Sequence, residues 1–404
     1  GETRKIFPAA KDIDEKLHVI RFDLDHEWRG VRVENNFRVE FYDLATGRKN
    51  VTGFAPPAVT PDSFALVKER QQHFHGANAF RLERQFTDWF FASGGYFYSR
   101  LDADAAFSLN TVNGAGAPLV GDLWSSQQIL LSQETHVFNA NTLFGPWEGL
   151  TFSAGVQSEW SHQEGLGNLN LDFGDAVAPP LFFFFLMVSA NLDRNSVDES
   201  FALRYTKIPH TVLFVDTRFQ QERIGQFEQE AGTPVDYRDF LRNTDATSDL
   251  KDYRAGFTVS PWPRVSFNAT ARHRDKQSDY LNHTDQSPAP FSGGGYSAFI
   301  RSRETITDEV EAKLSWRAAA WLKTAFTYKL TAMDFTTVTD PYTNPFPPPG
   351  LVSPGGGILA GNYDAHVYSA NAVVTPWRRL YLSTTFSYSA SRTGTAQNGN
   401  PSVV

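Results

Sequence analysis

Residues 150–160 read LTFSAGVQSEW. Successive side chains of a β-strand point to opposite sides. One side of this stretch therefore carries Leu150, Phe152, Ala154, Val156 and Trp160, and the other carries Thr151, Ser153, Gly155, Gln157 and Glu159. One face is oily and the other wettable. The same division recurs along the chain. Val31, Val33, Phe37, Val39 and Phe41 alternate with Arg32, Glu34, Asn36, Arg38 and Glu40. Tyr253, Ala255, Phe257 and Val259 oppose Arg254, Gly256, Thr258 and Ser260, while Val265, Phe267, Ala269 and Ala271 oppose Ser266, Asn268, Thr270, Arg272 and Arg274.

Short turns separate such strands near residues 29, 88, 147, 209, 262, 318 and 377, at a mean spacing of about 58 residues, which marks a repeated unit. Around each turn the pattern predicts two strands: 17–27/31–42, 79–87/90–100, 136–144/150–160, 200–208/211–221, 253–260/264–274, 309–316/321–333 and 364–374/380–390. The sequence thus predicts fourteen antiparallel strands in a single domain over residues 1–404. Short turns alternate with long connections at 43–78, 101–135, 161–199, 222–252, 275–308 and 334–363.

Charge separates a membrane barrel from a soluble sandwich, because Arg or Lys on the lipid side of a spanning strand costs about 2–4 kcal/mol at mid-membrane. The polar faces hold Arg32, Glu34, Arg38, Glu40, Arg218, Arg254, Arg264, Arg272, Arg274, Lys323 and Lys329, which are expected to line a lumen. On the apolar faces the charges are Arg84, Arg100, Lys207 and Asp364, all close to strand ends where long side chains reach headgroups. Trp28, Trp89, Trp147, Trp262, Trp316, Trp321 and Trp377 sit at or near the short turns, where an interfacial aromatic girdle belongs. Trp160, Tyr98 and Tyr388, at the far strand ends, would supply the second girdle.

Composition agrees. The chain has 34 Phe, 14 Tyr and 9 Trp beside 29 Gly and 22 Pro, a β-rich and turn-rich balance. Its formal net charge of −8 argues against a nucleic-acid partner. With no cysteine, the chain can hold no disulfide, thiolate metal site or CxxCH haem attachment, and no cofactor is expected in it. Ten histidines are scattered without a GxSxG elbow or an HExxH helix, so no catalytic residues are assigned and no enzyme activity is expected.

These features predict a transmembrane antiparallel up-and-down β-barrel in a bacterial outer membrane, with the seven short turns periplasmic and the long connections extracellular. Both ends of the readable pattern then fall on the extracellular side, which suggests at least one further strand at each end and about 16 or more in the complete chain; closure at fourteen is the alternative. The hairpins AGFTVSPWPRVSFNATARHRD (255–275) and ANAVVTPWRRLYLSTTFSYSASRT (370–393) resemble those of large Gram-negative outer-membrane barrels. More narrowly, they resemble the MtrB/PioB-like porins of porin–cytochrome conduits. The general resemblance implies a porin-like channel for small polar solutes, with lipid around it and a possible homo-oligomer. The narrower one implies an electron-transfer conduit in which the barrel sheathes a separate multihaem cytochrome.

Three further features bear on function. Arg218, Arg254, Arg264, Arg272 and Arg274 gather on successive strands while Asp23, Asp25, Glu27, Glu34 and Glu40 gather on the first two, so opposed charged walls or simple cross-strand pairing can result. The run APPLFFFFLMVSA at 178–190 is apolar inside a predicted loop and calls for loop packing or a partner. The acidic segment 222–252 and the pair His73 and His75 have no recognisable metal spacing, so no metal site is expected.

Overall fold

The computed structural model describes residues 9–54, 61–172, 183–233, 240–286, 300–339, 342–344, 350–352, 360–377 and 379–395. These form β1 (Ala9–Trp28), β2 (Val31–Phe54), β3 (Pro61–Thr87), β4 (Phe90–Asn113), β5 (Pro118–Trp147), β6 (Leu150–Asp172), β7 (Phe183–Tyr205) and β8 (Thr211–Thr233). There follow β9 (Phe240–Trp262), β10 (Val265–Gln286), β11 (Ile300–Ala319), β12 (Leu322–Thr339), β13 (Tyr342–Asn344), β14 (Gly350–Val352), β15 (Ala360–Trp377) and β16 (Leu380–Thr395). One antiparallel sheet runs in chain order from β1 to β12 and on through β15 and β16, while β13 and β14 pair only with each other. The fold is all-β and up-and-down, with the fourteen strands that the alternation predicts. Its two edges are β1 and β16, which are not hydrogen-bonded to one another.

All seven short turns are present, and their residues explain their geometry. Trp28 pairs with Val31, leaving Arg29 and Gly30 as a two-residue loop with φ of 52° and 76°. Positive φ at both central positions gives the turn whose twist matches the flanking strands. At the β5/β6 turn Gly149 has a φ of 74°, and Thr206 donates its N–H to the Gly149 carbonyl at 2.6 Å. A Cβ at 149 would lie 3.0 Å from the Lys207 nitrogen, so the two neighbouring turns approach closely only because this residue is glycine.

The long connections are where the structure departs from the sequence reading. Most of 43–78 is strand, since β2 continues to Phe54 and β3 begins at Pro61; most of 101–135 is likewise strand in β4 and β5. Extensions of β6 to β12 and β15 take up much of 161–199, 222–252, 275–308 and 334–363. Within the fourteen-stranded sheet, strand lengths consequently run from 16 residues in β16 to 30 in β5. The reason is that pairing of backbone groups continues whatever the side chains are, whereas period-two hydrophobicity fades once both faces carry polar groups. On β9, for example, Asp249 and Lys251 share the side of Tyr253, while Asp252 lies on the side of Arg254.

The apolar run of 178–190 splits in the same way. Its residues 178–182 lie outside the described residues, and from Phe183 the run forms the start of β7, paired with β6 and β8. There Leu186 is buried while Phe185, Met187 and Val188 are exposed. The described part of the run is therefore strand, hydrogen-bonded within the sheet, and not loop.

A single sheet has no second layer to cover it. Among the described residues the buried apolar side chains are Val51, Val67, Val112, Leu171, Leu186 and Ala365, and no large side chain is fully buried. A soluble domain of this length buries a hydrophobic core between layers. Here Phe37, Phe80, Leu82, Phe138, Phe152, Val156, Phe201, Leu203, Val215, Phe257, Leu314, Phe326 and Phe386 are exposed instead, and register places all of them on one face.

Candidate functional site: the polar face and its rims

The apolar face is bounded by two aromatic rows. At the turn end stand Trp28, Trp89, Trp147, Trp262, Trp316, Trp321 and Trp377, all exposed, from 44% for Trp89 to 70% for Trp377. Trp89 packs edge-on against Phe144 at 5.1 Å, and Phe144 against Trp147 at 6.0 Å. The far row is a ladder of direct cross-strand partners. Tyr98, His136 and Trp160 oppose one another on β4, β5 and β6, and Tyr328, Tyr368 and Tyr388 on β12, β15 and β16. His136 enters this row through its Nδ1, 2.7 Å from the Tyr96 hydroxyl.

From Leu150, opposite Trp147, to Trp160 the strand advances ten residues, about 33 Å at 3.3 Å per residue. At a tilt of about 40° that is roughly 25 Å, the height of a lipid-facing band. Within it Phe152, Phe201, Phe219 and Tyr253 form a chain of ring contacts at 6.4, 6.5 and 5.7 Å.

On the opposite face the predicted polar residues meet partners. Arg32 donates two hydrogen bonds to Asp25, at 3.1 and 2.8 Å, and lies 2.7 Å from Glu34 and 3.5 Å from Glu83. Arg38 pairs with Glu40, which also faces His75 at 3.8 Å. On the other half of the sheet the charges alternate in sign across six strands. Asp198 on β7 accepts from Arg218 on β8 at 2.6 Å; Arg218 opposes Asp252 on β9; Asp252 accepts from Arg272 on β10 at 2.9 Å and from Arg274 at 3.4 Å. The ladder continues from Arg272 to Glu309 on β11 at 3.6 Å and from Glu309 to Lys329 on β12 at 2.8 Å. Beyond it the face turns to hydroxyls, with Ser369 and Ser387 in contact at 3.1 Å.

Of the two outcomes open for the clustered charges, the geometry is cross-strand pairing rather than opposed walls. Arg254, Arg264 and Lys323 differ, because they make no ion pair among the described residues. Arg254 instead lies over the Phe214 ring at 5.4 Å. Phe214 in turn covers Gly256, where a Cβ would approach its ring to 2.6 Å. Arg264 stands in the β9/β10 turn, not within a strand.

Cavities follow this face. One of about 590 Å³ is lined by the ladder, including Arg218, Asp252, Arg272, Glu309 and Lys329. A second, of about 620 Å³, continues it past Arg218 and Asp198 to Asn139, Asn141 and Arg81. Another, of about 990 Å³, draws its lining from eight successive strands, β1 to β8, and includes Lys16, His18, Phe41, Phe74 and Leu166, which share the register of the apolar face.

Several of the partners had been missed. Asp198, Arg194 and Glu222 lie in segments that read as loops, although Arg194 bridges Glu222 at 2.5 Å and Glu159 at 3.0 Å. Their signal was positional: each continues the alternate-residue series of a strand already recognised. Members of the acidic segment are dispersed, Glu228 to Arg242, Asp245 to His283 and Asp252 to the ladder, while Asp236 and Asp239 lie outside the described residues. His73 stacks on Tyr42 at 4.8 Å, and His75 contacts the Ser99 hydroxyl at 3.0 Å. Above the far aromatic row, His162 lies between Asp193 at 2.6 Å and Glu164 at 3.1 Å; hydrogen bonds to these carboxylates, Asp193 foremost, raise its pKa. Arg100 holds the neighbouring Asp102 below the usual carboxylate range.

No protein-family model and no curated protein matches the chain. Among solved structures, the siderophore receptor PiuA from Acinetobacter baumannii is 10% identical, with 99% of this chain and 76% of that one covered at a TM-score of 0.36. The toluene transporter TodX of Pseudomonas putida is 10% identical over 91% of this chain and 89% of its own, with a TM-score of 0.23. At such scores the fold description stands on the sheet's own topology and register.

Proposed function

We propose that this chain forms the wall of a bacterial outer-membrane β-barrel that acts as a porin-like channel for small polar solutes. The observation that carries the reading is the single-layer sheet whose large apolar side chains are exposed mostly on one face, between two aromatic rows that stand ten residues apart along β6. Water would not tolerate that face, whereas lipid would solvate it. The opposite face supplies a wettable lining of paired charges, amides and hydroxyls along which polar solutes can exchange hydration. By the usual asymmetry of such barrels the seven tight turns are periplasmic and the long strand extensions stand outside the cell. No step of catalysis is assigned to the face.

The test is reconstitution of the full chain in planar bilayers and in liposomes loaded with small sugars. Stepwise conductance and sugar efflux are expected. A sealed membrane, with the protein isolated as a red haem-containing complex, would replace passage with the sheath of a multihaem cytochrome.

A further inference from the structure

The turn ends of the two halves of the sheet differ in charge. The hairpin tips of β1/β2 and β3/β4 carry acids among their bases: Asp25, Glu27 and Glu34 on one, Glu83 and Asp88 on the other. The tips of β7 to β12 and of β15/β16 carry none. Residues 203–215, 255–270, 312–328 and 365–390 contain no Asp or Glu. They do contain Arg204, Lys207, Arg264, Lys313, Arg317 and Lys323, with Arg379 at the last tip, all exposed and without an ion pair among the described residues.

Three of these cations converge. A cavity of about 420 Å³ at the turn end is lined by Arg264, Arg317 and Lys323, with His210, Ser260, Ser266, Ser315 and Thr324 around them; the Thr324 hydroxyl donates to the Trp316 carbonyl at 3.3 Å. No carboxylate lines it. Its frame is fixed by backbone hydrogen bonds between adjacent tips, from Ser260 N–H to His210 O and from Arg317 N–H to Arg264 O, each 2.8 Å. Two guanidinium forks and an ammonium with no competing acid match the acceptor geometry of a tetrahedral oxyanion.

We propose that this cavity is a binding site for a phosphate group. The chemistry fits two sources. Trp262 and Trp316 border the cavity and belong to the interfacial row, so a lipid headgroup can reach it; Arg264, Arg317 and Lys323 are open to water, so a soluble phosphate can as well. The site does not depend on whether solutes cross the sheet.

The test uses the full chain in neutral detergent, titrated with inorganic phosphate and followed by ³¹P line broadening. In parallel, native mass spectrometry counts lipids retained from nanodiscs of phosphatidylglycerol or of phosphatidylcholine. Saturable binding is expected in at least one arm; phosphate alone identifies a soluble ligand, and preferential retention of phosphatidylglycerol a headgroup. The triple variant R264Q/R317Q/K323Q should weaken that binding at least about tenfold, as loss of several charge-assisted bonds requires. The double variant R264K/R317K keeps the charge but loses the planar forks, so it should bind more weakly than the parent and more tightly than the triple variant. Absence of saturable binding in both arms, undiminished binding by the triple variant, or a lysine variant as weak as the glutamine one would each overturn the proposal.

Discussion

The charged ladder of β7 to β12 and the turn-end rim beside it share strands and a face, yet use charge in different ways. In the ladder every cation has an acid within reach on a neighbouring strand: Arg218 has Asp198, Arg272 has Asp252, and Lys329 has Glu309. At the rim Arg264, Arg317 and Lys323 line a common cavity without any acid. Charges in register neutralise one another and hold the wall together, whereas charges out of reach of an acid leave a positive potential for something that is not part of the wall. Position along the strand thus separates structural ions from available ones.

The contrast can be broken at either region, and at the boundary that both presuppose. The largest effect is expected where a charge is put on the wrong face. Val215→Arg, in the middle of the apolar band, should lose about 2–4 kcal/mol against unfolding in lipid vesicles, while Ser153→Arg on the polar face should lose little. Next comes the ladder: Asp252→Asn removes the negative charge that Arg272 and Arg274 share and leaves Arg272 only the longer contact to Glu309, so it should cost about 1.5–3 kcal/mol in the same unfolding measurement. Replacing Arg272 with Gln in that background should recover part of the loss, since the stranded cation is then gone. At the rim, R264Q/R317Q/K323Q should change unfolding by less than about 0.5 kcal/mol, because no pair is broken. A large loss there would place those cations in the structural class.

The smallest effect concerns pH. The His162 pKa is raised by Asp193 and Glu164, so the folded state favours the imidazolium. Its contribution to stability is complete below the ordinary histidine value of 6.5 and disappears as pH rises through the raised value. His162→Gln should therefore lower the thermal midpoint slightly at pH 5 and leave it unchanged at pH 9. A loss confined to high pH would contradict the assignment.

Much of this was legible before any coordinates. Residues 150–160 state both faces outright, and Arg29-Gly30 marks a tight turn because Gly accepts positive φ. Of the eleven polar-face residues that alternation names, ten lie on strands and Arg264 lies in a turn, and Trp28 and Trp377 are marked by their place beside turns. What escaped were the far halves of the strands. Asp198, Arg194 and Glu222 lie where polar residues occupy both faces, so hydrophobic periodicity ends although the hydrogen-bonded ladder does not. Partner choice escaped too: the register of β9 against β10 sets Arg274 opposite Asp252 and Arg272 opposite Arg254, and Arg272 reaches Asp252 on the diagonal, which no single strand's pattern contains. The acid-free tips were visible in composition but acquire meaning only when four of them lie side by side.

The central claim is that one face meets lipid and the other water. The chain has no cysteine, so single cysteines placed at each of residues 150–160 can be spin-labelled without background. With the protein in bilayers, collisions with oxygen should peak at 152, 154, 156 and 158, and collisions with a water-soluble nickel chelate at 151, 153, 155 and 157. Equal access of the chelate to both sets would mean that the apolar face lies against water, and the account would fail.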